Sequence, residues 1–416
     1  MSVLFSERIP VLSRLRLPLQ DIRFAMLRTA ILIYACIGSP TPDHFGYAEF
    51  VVAVLLVIAA GAQSFIHLVN FSGKTSYPLW YSAGRLCFFA LCFLGVIQFI
   101  VLGNYAGDAL RDFIAVLFLF LPVIFYPLVV NRTDQLYALI NVTALAGMIF
   151  ALRSLSVFDF DFLPGIMDDE PLSYLANAPT VLFCAIYLML GAVKQLEGRG
   201  GLKRIPVAFL LLIMAVIPCL GIILTMQRAS IALLVIVTAL MVLYSFYIRP
   251  YKYFPAIVVI ALTAAVLWPI LNEIITAFAY KTRIAGDNMR LAELGAIWSA
   301  ITAQPLTLFF GLGFGGNFES PAVGNYTVNF AHGLLSAALL KGGLLGITII
   351  IIYLALLFRA FIPLWRWNMV LFLALSAPFF ICVVLYASYK SLDFGLILTL
   401  MAFAYTAHSG EKRNSD

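Results

Sequence analysis

Arg228, Arg290 and His332 are the side chains whose types and settings could activate a hydroxyl and stabilise a departing phosphate. Arg228 lies in Leu224-Thr225-Met226-Gln227-Arg228-Ala229-Ser230, a few polar residues between two long apolar stretches. A long cationic side chain near a helix end commonly snorkels to the headgroups. The same placement suits a cation that binds an anionic group at headgroup depth, and both roles are open. Arg290 is followed one turn later by Glu293. The two form either a solvated i,i+3 ion pair, worth a few tenths of a kcal/mol, or leave the guanidinium for bidentate contact with phosphate oxygens. His332, in Asn329-Phe330-Ala331-His332-Gly333, heads an apolar run. Neutral imidazole there can take a proton near neutral pH, although a lone histidine is more often structural.

Other candidate motifs are weaker. Gly311-Leu312-Gly313-Phe314-Gly315-Gly316-Asn317 is glycine-rich, but no strand–helix unit surrounds it, so it is no nucleotide fingerprint. It reads as a tight turn in preference to an amide nest for phosphate. Asp159 with Asp161, and Asp168, Asp169 and Glu170, could hold a divalent cation; solvated loop acids are the plainer reading. With His67 and His408 assigned to the cytoplasmic side, His44 and His332 are too few for a histidine-based metal site. The cysteines, Cys36, Cys87, Cys92, Cys184, Cys219 and Cys382, all lie in apolar stretches, as small hydrophobes do. No metal and no cofactor is expected.

The elements that must position these residues are membrane helices. Apolar residues make up 63% of the 416 and charged residues only 11%, against about 25% charged in a soluble domain. Mean hydropathy is +1.01. Runs near spanning length predict twelve helices, at 23–38, 47–69, 79–103, 110–130, 135–153, 174–193, 205–225, 229–248, 254–272, 333–358, 368–389 and 392–408. The arginines that precede the first of them resemble the start of a signal sequence, but the segment reads as an uncleaved first helix. The fold class is all-α, a single polytopic membrane domain over 1–416. With both termini cytoplasmic, 18 of the 26 Lys/Arg fall inside and 8 outside. The basic residues punctuate helices rather than forming a patch, so the net charge of +6 does not point to nucleic acid.

Residues 273–332 make a large outer loop, too long for a mere connection. Asp287-Asn288 is placed to cap a helix running to Pro305, amphipathic with Leu291, Leu294, Trp298 and Ile301 on one face and Arg290 and Glu293 on the other. Such a helix lies in the interface or folds over the bundle. The acidic loop 154–173 has no evident role, and no internal repeat is present.

Together these residues resemble the O-antigen ligase/polymerase family of bacterial inner membranes. Thr225-Met226-Gln227-Arg228-Ala229 resembles its arginine-bearing periplasmic turn. Arg290 with Trp298, then Pro305 and Gly311-Leu312-Gly313-Phe314-Gly315, resembles its large-loop pattern. His332, followed after Gly333 and nine residues by Gly343-Leu344-Leu345-Gly346, is similar to the ligase signature, with Gly333 where the family has Asn, Ser or Gln. The resemblance implies a GT-C-class glycosyltransferase acting on the periplasmic side, independent of metal. Its donor would be an undecaprenyl-pyrophosphate-linked glycan and its acceptor a sugar hydroxyl of lipid A–core (a ligase) or the growing glycan itself (a polymerase). Arg228 and Arg290 would grip the pyrophosphate, His332 would deprotonate the acceptor, and Glu293, Gly311, Gly313 and Gly315 would support the loop. A lipid-linked glycan flippase or secondary transporter is the reading from another class. It calls for ionisable residues buried mid-membrane, whereas these charges gather at helix ends and in loops.

Overall fold

The computed structural model describes residues 10–38, 46–71, 77–130, 132–157, 171–197, 204–248, 272, 276, 279 and 289–415. The described chain is all-α apart from one short hairpin. The helices are α1 (Pro10–Ile37), α2 (Tyr47–Val69), α3 (Leu79–Leu102), α4 (Ala106–Leu119), α5 (Leu121–Val129), α6 (Leu136–Leu155), α7 (Pro179–Glu197), α8 (Ile205–Leu224) and α9 (Arg228–Ile248). There follow α10 (Arg290–Thr302), α11 (Pro305–Phe310), the antiparallel strands β1 (Phe318–Ser320) and β2 (Tyr326–Val328), α12 (Leu334–Phe361), α13 (Leu364–Trp367), α14 (Met369–Val384) and α15 (Leu392–Ser415). A helix occupies each expected span except 254–272, which lies outside the described residues but for its last, as do the Asp287-Asn288 cap and most of the acidic loop.

Among the described residues, seven helical segments are long and apolar enough to cross a membrane, and three shorter apolar helices, Pro179–Gln195, Met369–Val384 and Leu392–Thr406, stand with them. This is a multi-pass membrane architecture. The three shorter helices are the most enclosed: Phe183, Ile186, Leu375, Phe394 and Leu398 all lie in the core. A helix apolar all round belongs in such a centre, and the longer segments surround it, with Phe93, Ile100, Phe209 and Val235 facing outward.

Several helices are broken, and each break frees carbonyls that must find donors. The chain turns left-handed at Gly61 inside α2, and Arg23 of α1 fills the gap. Its Nε donates to the Ala59 carbonyl at 2.8 Å and its Nη2 to the carbonyl of Ala60. Between α4 and α5, the Tyr353 hydroxyl donates to the Leu119 carbonyl at 3.2 Å. In α12 the break is at Gly343, φ +59°. There the amides of Leu312 and Gly313 donate to the carbonyls of Leu340 and Lys341 at 2.8 and 2.9 Å. Arg23 departs from the expected gathering of charge at helix ends: it is 6% exposed, well inside α1.

Candidate functional site

The segment from α10 to the head of α12 gathers at one end of the bundle, where α3, α8 and α14 end and α4, α9 and α15 begin. α10 opens behind Met289, which holds a left-handed φ of +50° and accepts the Glu293 amide at 2.8 Å. Its inward face differs from the amphipathic expectation. Glu293, Ile297 and Ile301 are buried, Glu293 to 1% exposure, while Leu291 is 86% and Trp298 49% exposed. In water the apolar stripe would turn to the core. Beside a bilayer the apolar side can face lipid, so the polar side is released to turn inward. The solvated Arg290–Glu293 pair is therefore not what forms.

Glu293 instead receives three hydrogen bonds. The Ser320 hydroxyl, at the end of β1, donates to its Oε1 at 3.0 Å. The His332 amide donates to Oε2 at 3.2 Å, and His332 Nδ1 meets Oε1 at 2.9 Å. Burial pushes the Glu293 carboxyl up, but the His332 contacts and the Ser320 hydroxyl outweigh it and leave the group below its ordinary value. The carboxylate is thus ionised and accepts, so the neutral imidazole carries its proton on Nδ1 and presents Nε2 as a base. Behind the pair, the Tyr389 hydroxyl reaches the Ala331 backbone, and the Phe330 ring meets the imidazole edge-on at 5.7 Å. Gly333 takes φ +113° as α12 begins, and a Cβ there would come within 2.7 Å of the Val384 carbonyl. That contact accounts for the glycine after the histidine.

Arg290 is one turn before Glu293. Its Nη1 is buried and has no hydrogen-bond partner among the described residues. Burial lowers its pKa from the ordinary value, while Glu293 and Tyr386 support the charge. Tyr386, just beyond α14, connects the two arginine segments. Burial raises its hydroxyl pKa, partly offset by its contacts with the Ser230 side chain, the Ala229 backbone and Arg290. Arg228 precedes those two residues as the first of α9, a helix with no acid in its first turn. The turn before it is wired locally: Gln227 Nε2 donates to Thr225 Oγ1 at 2.8 Å, and Ser230 Oγ to Gln227 Oε1 at 3.0 Å. Among the described residues, non-glycine left-handed backbone occurs only at Met226, Met289 and Asn325. Two of these three stand just before Arg228 and Arg290, each at a cost of about 1–3 kcal/mol. An arginine at the positive end of a helix dipole is electrostatically misplaced unless an anion joins it. Arg290, Glu293 and His332 therefore meet in one region, which the helix led by Arg228 reaches through the contacts of Ala229 and Ser230 with Tyr386.

The glycine-rich turn does not line the Glu293–His332 pair. Gly311, Gly313 and Gly315 have φ of +71°, +74° and +74°, and a Cβ at Gly313 would meet Gln98 Cβ at 2.5 Å. Besides the amides spent on α12, Phe314 donates to the Gly95 carbonyl at 3.2 Å and Gly315 to Asp112 Oδ2 at 2.7 Å. No amide from Leu312 to Gly316 is left to cradle a phosphate. The turn is a joint between loop and bundle.

Sequence reasoning missed Ser320, Tyr386 and Tyr389, and also the cluster below the turn. There Lys341 Nζ lies 2.6 Å from Asp112 Oδ2 and donates to the Gly316 carbonyl at 2.8 Å. Lys390 stands over the Phe330 ring at 4.5 Å. The scarcity of charge in so apolar a chain, only 11% of its residues, could have drawn attention to Lys341 and Lys390. A larger cavity of about 630 Å³, lined by Asn141, Cys184, Lys194 and Asn368, lies at the other end of the bundle. Among the described residues no group of three or more His, Cys, Asp and Glu is placed to hold a metal.

Fold and site together define a multi-pass, all-α membrane protein carrying a buried carboxylate paired with a half-buried imidazole beside two arginine-led helix N-termini. No protein-family model matches the chain, and no curated protein matches it.

Proposed function

We propose that the chain is a membrane glycosyltransferase of the O-antigen ligase/polymerase type, with the ligase reaction put first. In this reading both termini are cytoplasmic, twelve helices cross the bacterial inner membrane, and the 273–332 loop and its site face the periplasm. The donor is an undecaprenyl-pyrophosphate-linked glycan and the acceptor a sugar hydroxyl of lipid A–core. The observation that carries the reading is the Glu293–His332 pair, one turn from a buried guanidinium nitrogen without a partner.

The acceptor hydroxyl gives its proton to His332 Nε2 as its oxygen attacks the anomeric carbon from the face opposite the pyrophosphate. The bond from that carbon to the pyrophosphate oxygen breaks, its electron pair leaves with the diphosphate, and the configuration inverts. Glu293 holds the imidazole in the useful tautomer and stabilises the imidazolium, as a buried carboxylate does for a catalytic histidine. Charge gathers on the leaving diphosphate, so Arg290, Arg228 and the amides opening α9 and α10 stabilise the transition state more than the ground state. An apolar site closed by the loop would exclude competing water.

Reconstitution of the purified protein with lipid-linked glycan and rough lipopolysaccharide in chelator tests this. Transfer by the parent chain and none by His332→Ala is expected. Equal transfer by both would end the assignment of His332 as base. In cells lacking the protein, long chains stranded on the carrier lipid would mark a ligase, and single repeat units on the core a polymerase.

A further inference from the structure

The connection between α14 and α15 serves two clusters. Tyr386 faces the arginine segments, whereas Lys390, four residues on, faces Phe330, whose ring also packs on His332. Lys390 makes no hydrogen bond and no ion pair among the described residues; its ammonium rests only on the faces of Phe330 at 4.5 Å and Tyr389 at 6.0 Å. The charged groups around it are Asp108, Arg111 and Asp112 of α4 and Lys341 of α12. Asp112 is already engaged by Lys341 and by the Gly315 amide. With Lys390 included, three cations stand against two acids around this point. A cavity of about 70 Å³ lies against Lys390, Lys341 and Asp112. Its other walls are largely apolar, among them Leu91, Val116 and Ile350, and it has room for about two waters, too little for a sugar ring.

We propose that Lys390 binds an anionic substituent, a phosphate or a carboxylate, carried by the acceptor glycan next to the hydroxyl that His332 deprotonates. This rests on the glycosyltransferase reading and names the acceptor class for it. In an inverting displacement the leaving group and the attacking oxygen lie on opposite faces of the anomeric carbon. The diphosphate belongs with the arginines, so a cation linked to the base through Phe330 belongs with the acceptor. Burial lowers the Lys390 ammonium pKa from its ordinary value to about 8, with Asp112 opposing the fall. Only the charged form holds an anion, so affinity for the anionic acceptor falls as pH rises through about 8.

The test uses the full-length protein in liposomes with matched acceptors: one phosphorylated, one bearing a carboxylate and one neutral. Lys390→Met is expected to raise KM about tenfold for the anionic acceptor that fits. The neutral acceptor's KM and every kcat should stay within about twofold, and Lys390→Arg should restore most of the loss. The acceptor whose KM moves tells phosphate from carboxylate. Equal losses on anionic and neutral acceptors, or no change in KM, would overturn the proposal. Binding of the phosphorylated and carboxylated glycans to detergent-purified parent and Lys390→Met protein is measured alongside. If no transfer occurs even with the parent chain, the transferase reading fails by itself, and tighter binding of an anionic glycan by the parent still decides the role of Lys390.

Discussion

Two arginines in this protein, Arg23 buried and Arg290 half-buried, do opposite things with their hydrogen-bond donors. Arg23, beneath the break in α2, spends Nε and Nη2 on the carbonyls of Ala59 and Ala60 and on Ser64 Oγ. Arg85 behaves alike: Nη1 closes the end of α2 on the carbonyls of His67 and Asn70 at 2.9 and 2.8 Å, among the rings of Phe71, Tyr77 and Tyr81, while Nε has no partner among the described residues. Arg290 makes no such bond among the described residues, and its neighbour Glu293 is occupied by His332. Burial of a cation in a membrane bundle is therefore no mark of function by itself. Arg23 completes the backbone of a broken helix, whereas Arg290 stands beside a strained residue with its Nη1 unspent among the described residues.

The most forceful way to sharpen that contrast is His332→Ala, which should lower transfer per folded molecule about 10³-fold, with some stability lost as well because the buried Glu293 charge is left short of a partner. Arg290→Ala should follow, at about 10²–10³-fold in kcat, with Arg290→Lys recovering little because a point charge cannot replace a planar fork. Arg23→Met should invert the pattern. It strands two carbonyls in an apolar interior and should cost about 3 kcal/mol or more of stability, with turnover per folded molecule kept. If Arg23→Met instead lost turnover as Arg290→Ala does, the two arginines would not differ in kind. Gly313→Ala is next, because its Cβ would press on Gln98 Cβ at 2.5 Å and the Phe99 nitrogen at 2.7 Å at a positive φ. About 2 kcal/mol of stability should be lost, read as a lower midpoint of thermal unfolding.

The helices were legible because a bilayer demands long apolar runs whatever the packing, and α2 spans the residues expected of it. The site was legible as a set of residue types and only partly as a geometry. The face of α10 was read as one apolar stripe of Leu291, Leu294, Trp298 and Ile301 opposite Glu293; instead Ile301 turns inward with Glu293 and Ile297, Leu291 and Trp298 turn out, and Glu293 meets His332. The glycine turn read correctly as a turn, but its partner, the freed carbonyls of α12, depends on a break at Gly343 that composition does not announce. Left-handed backbone at Met226 and Met289 has no signature in residue type. Tyr386 and Lys390 lie over fifty residues beyond His332, and only the folded chain brings them to Ser230 and Phe330.

The smallest effect concerns pH and distinguishes Glu293 from an ordinary surface acid. Its folded-state carboxyl lies below the ordinary value of 4.5 because the His332 and Ser320 contacts outweigh burial. A group whose pKa is depressed by folding adds stability that is fully present above the unfolded value and is lost as pH falls through the folded one. The contribution of the Glu293 charge to the tie between α10 and the head of α12 should therefore be lost as pH falls below about 4.5. Glu293→Gln keeps the shape but removes the charge, so its midpoint should be lower than the parent's at pH 7 and converge on it as the medium is acidified. Hydrogen exchange at α10, followed against pH in both proteins, measures this directly. A constant gap between them down to pH 3 would mean that the carboxylate charge is not what holds His332.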